Sequence, residues 1–490
     1  MDDTKETVSI SAATEAGALA SVSPLASPHL DDAEVKRREM ILTGNQWKVI
    51  FMIALPLVFY DSLSQVFQLV DTLIAANMSA GVVSTVSFIS QIESMLTAIG
   101  SGLALGGSIL ISRYYGAGDM AEVRREISTL FFLCLAIGGG ILALIIPGAY
   151  PFLKLLRMPE DLIGEGTAYF MLDVISIIFV FINTIYFSIE KARGNTKIIL
   201  YLNCIVLVVK TTLNILIINL MKTGTFPLNT AMLLLPVATI LANSILTVIA
   251  LANLTSKKNP FRISFKACEF KKRFLSPLFG LSIPVFLEKF IFSFGKVIVN
   301  SMCASFGSTV VGALGVSNRL GGLSTNPMSG FQEAESPLIS QNIGNKNVQR
   351  ALGIFYKTLL INFLFAILFF ILTGIFKDPI INLFAKGNAS FAGEIDKIYT
   401  YERLDTILIS INTSVMGLLY GFGKTRVSMI LNLMRLFIYR IPPLWLLMTF
   451  THIGTPAVGM AMLISNGLTG ITAGIVAYIF IRKIKRAQVD

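Results

Sequence analysis

Apolar residues run along this chain in long blocks, broken by short polar turns. Twelve blocks stand out, at 47–75, 82–112, 127–150, 166–190, 197–221, 231–254, 274–303, 309–340, 352–376, 399–420, 426–450 and 454–481. Each offers about the 20 residues that a helix needs to cross the hydrocarbon core of a bilayer. None alternates apolar and polar positions with period two, and all exceed the roughly 9–11 residues of a spanning strand, so a membrane barrel is excluded. The pattern predicts an all-α membrane protein with twelve transmembrane helices. Residues 1–45 carry no such block and are rich in Ser, Ala, Asp and Glu, which reads as a disordered cytoplasmic tail. The acidic start "MDDTKE" is followed by no apolar core, so it is not a signal peptide and the first span itself must direct insertion.

The blocks repeat. "LISRYYGAGD" at 110–119 and "LISQNIGNKN" at 338–347 are 228 positions apart, as are Pro56 and Pro284. At a spacing of 229 come "INT" at 182–184 and 411–413, Gly194 and Gly423, Thr196 and Thr425, and "LN" at 202–203 and 431–432. A series in order at one spacing marks an internal duplication. Six helices per half return the chain to its starting side, so both halves insert the same way, as a parallel repeat about an axis along the membrane normal. The expected organisation is a six-helix lobe over 46–254, a basic cytoplasmic linker over 255–273, a second six-helix lobe over 274–483 and a tail over 484–490.

Composition agrees: of 490 residues, 54% are hydrophobic and 14% charged, and the mean hydropathy is +0.72. The net charge of +11 is informative by its placement. Lys36, Arg37 and Arg38 precede the first span, Arg113, Arg124 and Arg125 follow the second, Lys191, Arg193 and Lys197 follow the fourth, and "SKKNPFRISFKACEFKKR" joins the halves. The intervening turns "ANMSAG", "ASFGST" and "FTHIGTPA" carry no Lys or Arg, although the loop near Lys377–Arg403 is mixed. This is a positive-inside pattern, with both termini cytoplasmic in a multi-pass protein of the cytoplasmic (inner) membrane. The basic surface suits anionic lipid and not nucleic acid. The four cysteines show no paired spacing, and the two histidines, His29 and His452, lie in the tail and a turn. No disulfide, metal site, catalytic residue or phosphate-binding loop is therefore expected, and the chain does not read as an enzyme.

The chemistry lies in polar residues inside the spans. In "FYDSLSQVFQLVDTLIAAN", Asp61, Gln65, Gln68 and Thr72 recur every three or four residues and share one helix face, with Asp71 beside it. Two aspartates at mid-bilayer cost about 6 kcal/mol on insertion scales before pairing, so they face protein or water. Asp173, Asn183, Lys210 and Asn214 lie in the fourth and fifth spans, Lys210 and Asn214 on one face. Across the 228-residue spacing, Asp61 maps to Lys289, Gln65 to Ser293, Gln68 to Lys296 and Thr72 to Asn300. The same stripe thus changes sign. Arg319, Arg403, Arg435 and Arg440 make the second half more cationic still, with Glu288, Glu333, Glu335, Glu402 and Asp405 available to neutralise some of them. Pro56, Pro284, Pro327 and Pro337 inside spans permit bends.

The run "ILTGNQWKVIFMIALPLVFYDSLSQVFQLVDT", the loop "SRYYGAGD" and the late "GMAMLISNG" resemble the bacterial multidrug and toxic compound extrusion transporters. The resemblance covers about 41–483 and is most specific from Gly44 to Thr72. It implies two lobes around a V-shaped cavity and export of organic compounds against H⁺ or Na⁺. The opposite charges of the two stripes suit a cationic or zwitterionic compound; no other cofactor is expected, and a monomer is the expected working unit. By the same resemblance Asp71 serves a coupling-ion site in the first lobe, with Asn183 and Asn214 as neutral ligands. Lys210 stands where the family often has a neutral polar residue; it is expected to pair with Asp71 or Asp173, or to take the place of the coupling cation. Asp61, Gln65, Gln68, Glu288, Lys289, Lys296 and Arg319 are the expected lining of the substrate cavity. The competing expectation is a flippase or exporter of a lipid-linked or anionic amphiphile. Against both stands a duplicated bundle or scaffold that carries no substrate.

Overall fold

The computed structural model describes residues 31–76, 80–156, 158, 160–385 and 388–488. Its first half comprises α1 (Asp32–Thr43), α2 (Gln46–Ala76), α3 (Ala80–Ala117), α4 (Met120–Ile145), α5 (Ala149–Leu155), α6 (Glu160–Ala192), α7 (Thr196–Lys222) and α8 (Leu228–Thr255). The second comprises α9 (Lys272–Ala304), α10 (Ser308–Gly344), α11 (Val348–Ile375), α12 (Lys377–Ala385), α13 (Ala389–Glu402), α14 (Thr406–Gly421), α15 (Thr425–Phe437), α16 (Ile441–Phe450) and α17 (Pro456–Arg486).

Among the described residues, eleven helical segments are long and apolar enough to cross a bilayer. The twelfth crossing is α10, whose Arg319, Glu333 and Glu335 dilute its apolar content. It tolerates them because α2, α3, α11, α13 and α14 pack around it and keep its polar groups from lipid. Three boundaries differ from the sequence reading. The third span begins at Met120, capped by the Asp119 carboxylate on Glu122 N, and ends at Ile145 before the separate α5. The tenth begins at Ala389 and is interrupted by a 3-10 turn at Arg403–Asp405. The eleventh breaks between Phe437 and Ile441, where two prolines open α16.

The expected disordered tail needs a partial correction. Asp32–Thr43 is a helix, started by Asp31, whose side chain accepts from Glu34 N at 2.8 Å. It lies across the end of the bundle that carries the linker. Arg38 donates to the carbonyls of Tyr115 and Gly116 at 2.8 Å, and Arg350 of the second half donates to Ile41 O at 2.9 Å. The rest of the tail, residues 1–30, is outside the described residues.

The duplication is visible in the contacts. A Cβ on Gly102 would lie 2.9 Å from Phe286 Cα, and one on Gly330 would lie 2.8 Å from Val58 Cα. Each residue of the second pair is 228 positions from its counterpart in the first. Likewise Gly116 faces Gln341 O at 2.0 Å and Gly344 faces Arg113 O at 1.9 Å, measured from the same imagined Cβ. Only glycine permits backbones so close. The turns match too: Gly118 and Lys346 share positive φ, and Asp119 and Asn347 each cap the helix that follows. Each lobe has its own apolar core, and a third core joins them: Val49, Ile53, Leu57 and Ile109 pack against Val285, Phe331, Leu338 and Phe355. The lobes therefore close on each other over the half of the bundle nearest the linker.

Candidate functional site

The glycine seam has a floor on its far side. Asp61 stands three residues beyond Val58 on α2, and its repeat mate Lys289 three residues beyond Phe286 on α9. Between them Lys191, at the end of α6, pairs across the lobes with Glu333 of α10. Their side chains keep 25% and 42% of their exposure, so the pair borders open space. The charges of Asp61 and Lys289 both act on this pair. The floor thus holds two acids and two lysines, drawn evenly from the lobes. One Asp61 carboxylate oxygen is buried with no hydrogen-bond partner among the described residues. One turn further out, Gln65 approaches α10: a Cβ on Gly322 would lie 3.8 Å from Gln65 Oε1 and 3.6 Å from Asn326 Nδ2. Gln68 and Thr72 continue this face by helical spacing, with Asp71 beside it, but the side chains of all three are outside the described residues.

The first lobe holds a second cluster. Asp173 on α6 is buried, and the charges of Glu93 on α3 and Lys210 on α7 act on it. Lys210 also acts on Glu93. The charge of Lys210 thus acts on two carboxylates, Asp173 and Glu93, the second of which the sequence reading did not single out. Asn183 does not face this group. It is 4% exposed, and it donates to Asn243 O at 3.2 Å and accepts from Thr247 Oγ1 at 2.9 Å. That is an interhelical amide bond between α6 and α8, which engages the oxygen expected to act as an ion ligand. Asn214 is buried on α7, one turn from Lys210.

In the second lobe Glu288 also departs from expectation. It is buried inside the lobe, accepting from Tyr420 OH at 2.6 Å, Asn432 Nδ2 at 2.7 Å and Ser428 Oγ at 3.1 Å. Three neutral donors hold this carboxylate away from the cavity that it was expected to line. Lys289 and Lys296 are exposed, and Arg319 is half-buried. Deeper lies a network around Asn466. Its Oδ1 accepts from Arg435 Nε at 2.9 Å and Arg440 Nη2 at 2.8 Å, and its Nδ2 donates to Asp405 Oδ2 at 2.7 Å. Ser317 donates to Glu402. The sequence pointed to the charged members; Asn466 and Ser317 carry no signal of their own, since a lone amide or hydroxyl in a span is ordinary. Glu335 is buried with both oxygens lacking a partner among the described residues. No cluster of three metal-ligating side chains occurs among the described residues.

Comparison with known proteins places this geometry. The MatE family model matches residues 56–216 and again 284–446. The two matches begin 228 positions apart, at the two repeat prolines. The chain belongs to the MatE family. It is 23% identical over 349 residues to the probable multidrug resistance protein YoeA of Bacillus subtilis, covering 69% of this chain and 73% of that protein. It is 22% identical over 410 residues to the probable multidrug resistance protein NorM of Thermotoga maritima, covering 83% and 87%. A crystal structure of a MATE in complex with MaL6 superposes with a TM-score of 0.85 at 16% identity, covering 91% of this chain and 99% of that one. That likeness establishes the twelve-helix, two-lobe fold. As a MatE protein the chain is a multi-pass membrane transporter of small molecules and not an enzyme.

Proposed function

We propose that this chain is a secondary active antiporter that exports organic compounds, cationic or zwitterionic, in exchange for H⁺ or Na⁺. It works as a monomer in the cytoplasmic membrane with both termini and the linker in the cytoplasm. The observation that carries this reading is the cleft floor: apposed lobes on one side, and on the other a set of balanced charges bordering open space. A carrier needs that arrangement, since one end must seal while the other admits substrate. The names of the curated relatives support the multidrug part.

Exchange is assigned to the first lobe. Asp173 and Glu93 share Lys210, so a proton or Na⁺ arriving at either carboxylate weakens its hold on the lysine and changes the packing of α3, α6 and α7. Asp71 belongs to the same lobe and is proposed as a further carboxylate of this path. The test is ethidium transport in proteoliposomes under an imposed proton or sodium gradient. Asp173→Asn is expected to abolish gradient-driven accumulation while ethidium still binds, because the exchangeable charge goes at little change in size. Full transport by this variant at equal protein content would remove the assignment. A second reading is favoured by the cations of the second lobe, namely flipping of a lipid-linked or anionic amphiphile. Gradient-independent translocation of a fluorescent anionic lipid, with no ethidium transport, is the outcome that selects it.

A further inference from the structure

The second lobe carries three cations around one aromatic ring. Phe292 of α9 has Arg435 Cζ at 5.2 Å from its ring centre, Lys296 Nζ at 5.3 Å and Arg440 Cζ at 6.0 Å. At 100° per residue, Phe292 and Lys296 share a side of α9 with Lys289. Ile283, Phe290, Phe294 and Val297, all exposed and apolar, lie on the opposite side, which suits lipid. The charged side therefore looks toward the protein and the cleft.

The nearby acids offset these charges only in part: Asp405 and Glu402 act on Arg435 and Arg440, and neither is among the charges that act on Lys296. By hydrogen bonds Asp405 is joined to Arg435 and Arg440 through the Asn466 amide, and Glu402 is engaged by Ser317. Among the described residues, no carboxylate oxygen lies within 4.0 Å of Lys296, Arg435 or Arg440. The charges that act on Lys296 are those of Arg440 and Arg435, both of its own sign. Three cations stand against two carboxylates, and the lysine makes no hydrogen bond to a described residue. Like charges gathered around a buried guanidinium such as that of Arg440 are costly unless a counter-charge joins them, and the exposed Lys296 end leaves room for one. The two arginines are held by Asn466, Ser465 and one another's network, so the arrangement is preformed. Guanidinium and ammonium donors are suited to a carboxylate, sulfonate or phosphate head, and the Phe292 face to a flat apolar body.

We infer that Lys296, Arg435 and Arg440, grouped on Phe292, form a subsite for the anionic head of an aromatic or amphipathic compound. This names the substrate class of the second lobe and rests on the export reading. A zwitterion then spans the cleft, its cationic part toward Asp61 and its anionic part here. Free aromatic acids and phospholipid headgroups share the recognised chemistry.

The test is equilibrium dialysis of the full-length protein in neutral detergent with 2-naphthalenesulfonate, and with tetraphenylphosphonium as the cation control. Lys296→Gln is expected to weaken naphthalenesulfonate binding about tenfold, the loss of one charge-assisted contact, and to leave tetraphenylphosphonium binding unchanged or tighter. Lys296→Arg is expected to restore the sulfonate. Displacement of the sulfonate by phosphatidylglycerol and not by phosphatidylcholine would keep the subsite and give its anion to a lipid. No sulfonate binding by the unmodified protein, or equal loss of both probes in Lys296→Gln, would overturn the subsite. Failure of gradient-driven transport with these binding results intact would instead count against the export reading alone.

Discussion

At the scale of single residues, the pair Asp61 and Lys289 carries most of the argument. Repeat mates in a duplicated fold occupy equivalent places, so their opposite charge makes the two walls of the cleft different by construction. Lys191 and Glu333 add a contact that only the folded chain displays: they are 142 positions apart, and neither repeats the other. Because both ends keep partial exposure, the pair is worth about 0.2–1 kcal/mol and is screened by salt. Such a value would let the contact break and re-form at little cost. Lys191→Glu and Glu333→Lys singly place like charges together and are expected to slow transport severalfold, and the double exchange is expected to recover most of it. Transport rates of the four proteins form a double-mutant cycle; a coupling of zero would show that transport does not depend on this pair. The sequence revealed the charged stripe because charges in apolar blocks are conspicuous. It did not separate Lys289, on the floor, from its neighbour Glu288, buried against Tyr420 and Asn432, because adjacent helical positions differ only by a turn of about 100°. Nor did it reveal that Asn183 is bonded to Thr247, a partner 64 residues away.

At the scale of elements, periodicity and hydropathy located the spans, and errors arose where a helix is not lipid-facing or not continuous. The polarity of α10 comes from its central place, and the break before α16 from Pro442 and Pro443, which suit the start of a helix and not its middle. The α1 segment was read as tail because its twelve residues are polar throughout much of their length. It folds through contacts that lie far away in sequence, on Tyr115, Gly116 and Arg350. The seam between α3 and α10 invites a direct test. Gly344→Ala would put a methyl against the Arg113 carbonyl, backbone that cannot rotate aside. The expected cost is about 1–3 kcal/mol of overpacking, read as a lower thermal midpoint of the detergent-solubilised protein. Gly116→Ala, its repeat counterpart against Gln341 O, is expected to behave alike. Gly139→Ala, whose Cβ meets nothing within 4 Å, is the control. Unchanged midpoints in both seam variants would show that the lobes do not rely on this contact.

For the whole molecule, the parallel repeat fixes how the ends relate. Six crossings per lobe place α1, the 255–273 linker and the end of α17 on one side of the membrane, the side on which the glycine seam closes. On the proposed orientation that side is the cytoplasm, and the described conformation would then be sealed toward the cell interior. Cys268 tests this, since it lies in the linker and is half-buried against α4. An impermeant maleimide is expected to label it in inside-out vesicles and not in intact cells; Cys134 and Cys303 are buried in their lobes, and a Cys204→Ser background removes the remaining thiol. Burial pushes the Cys268 thiol above its ordinary range, with a hydrogen bond to Thr129 pulling the other way. The thiolate is the reactive form, so labelling is slow near neutrality and should accelerate as pH rises, beyond the point at which an exposed cysteine has levelled off. Thr129→Val removes the opposing bond and should shift that rise to higher pH still. Labelling from outside intact cells would reverse the orientation of all twelve helices, and with it the direction in which the sealed floor faces.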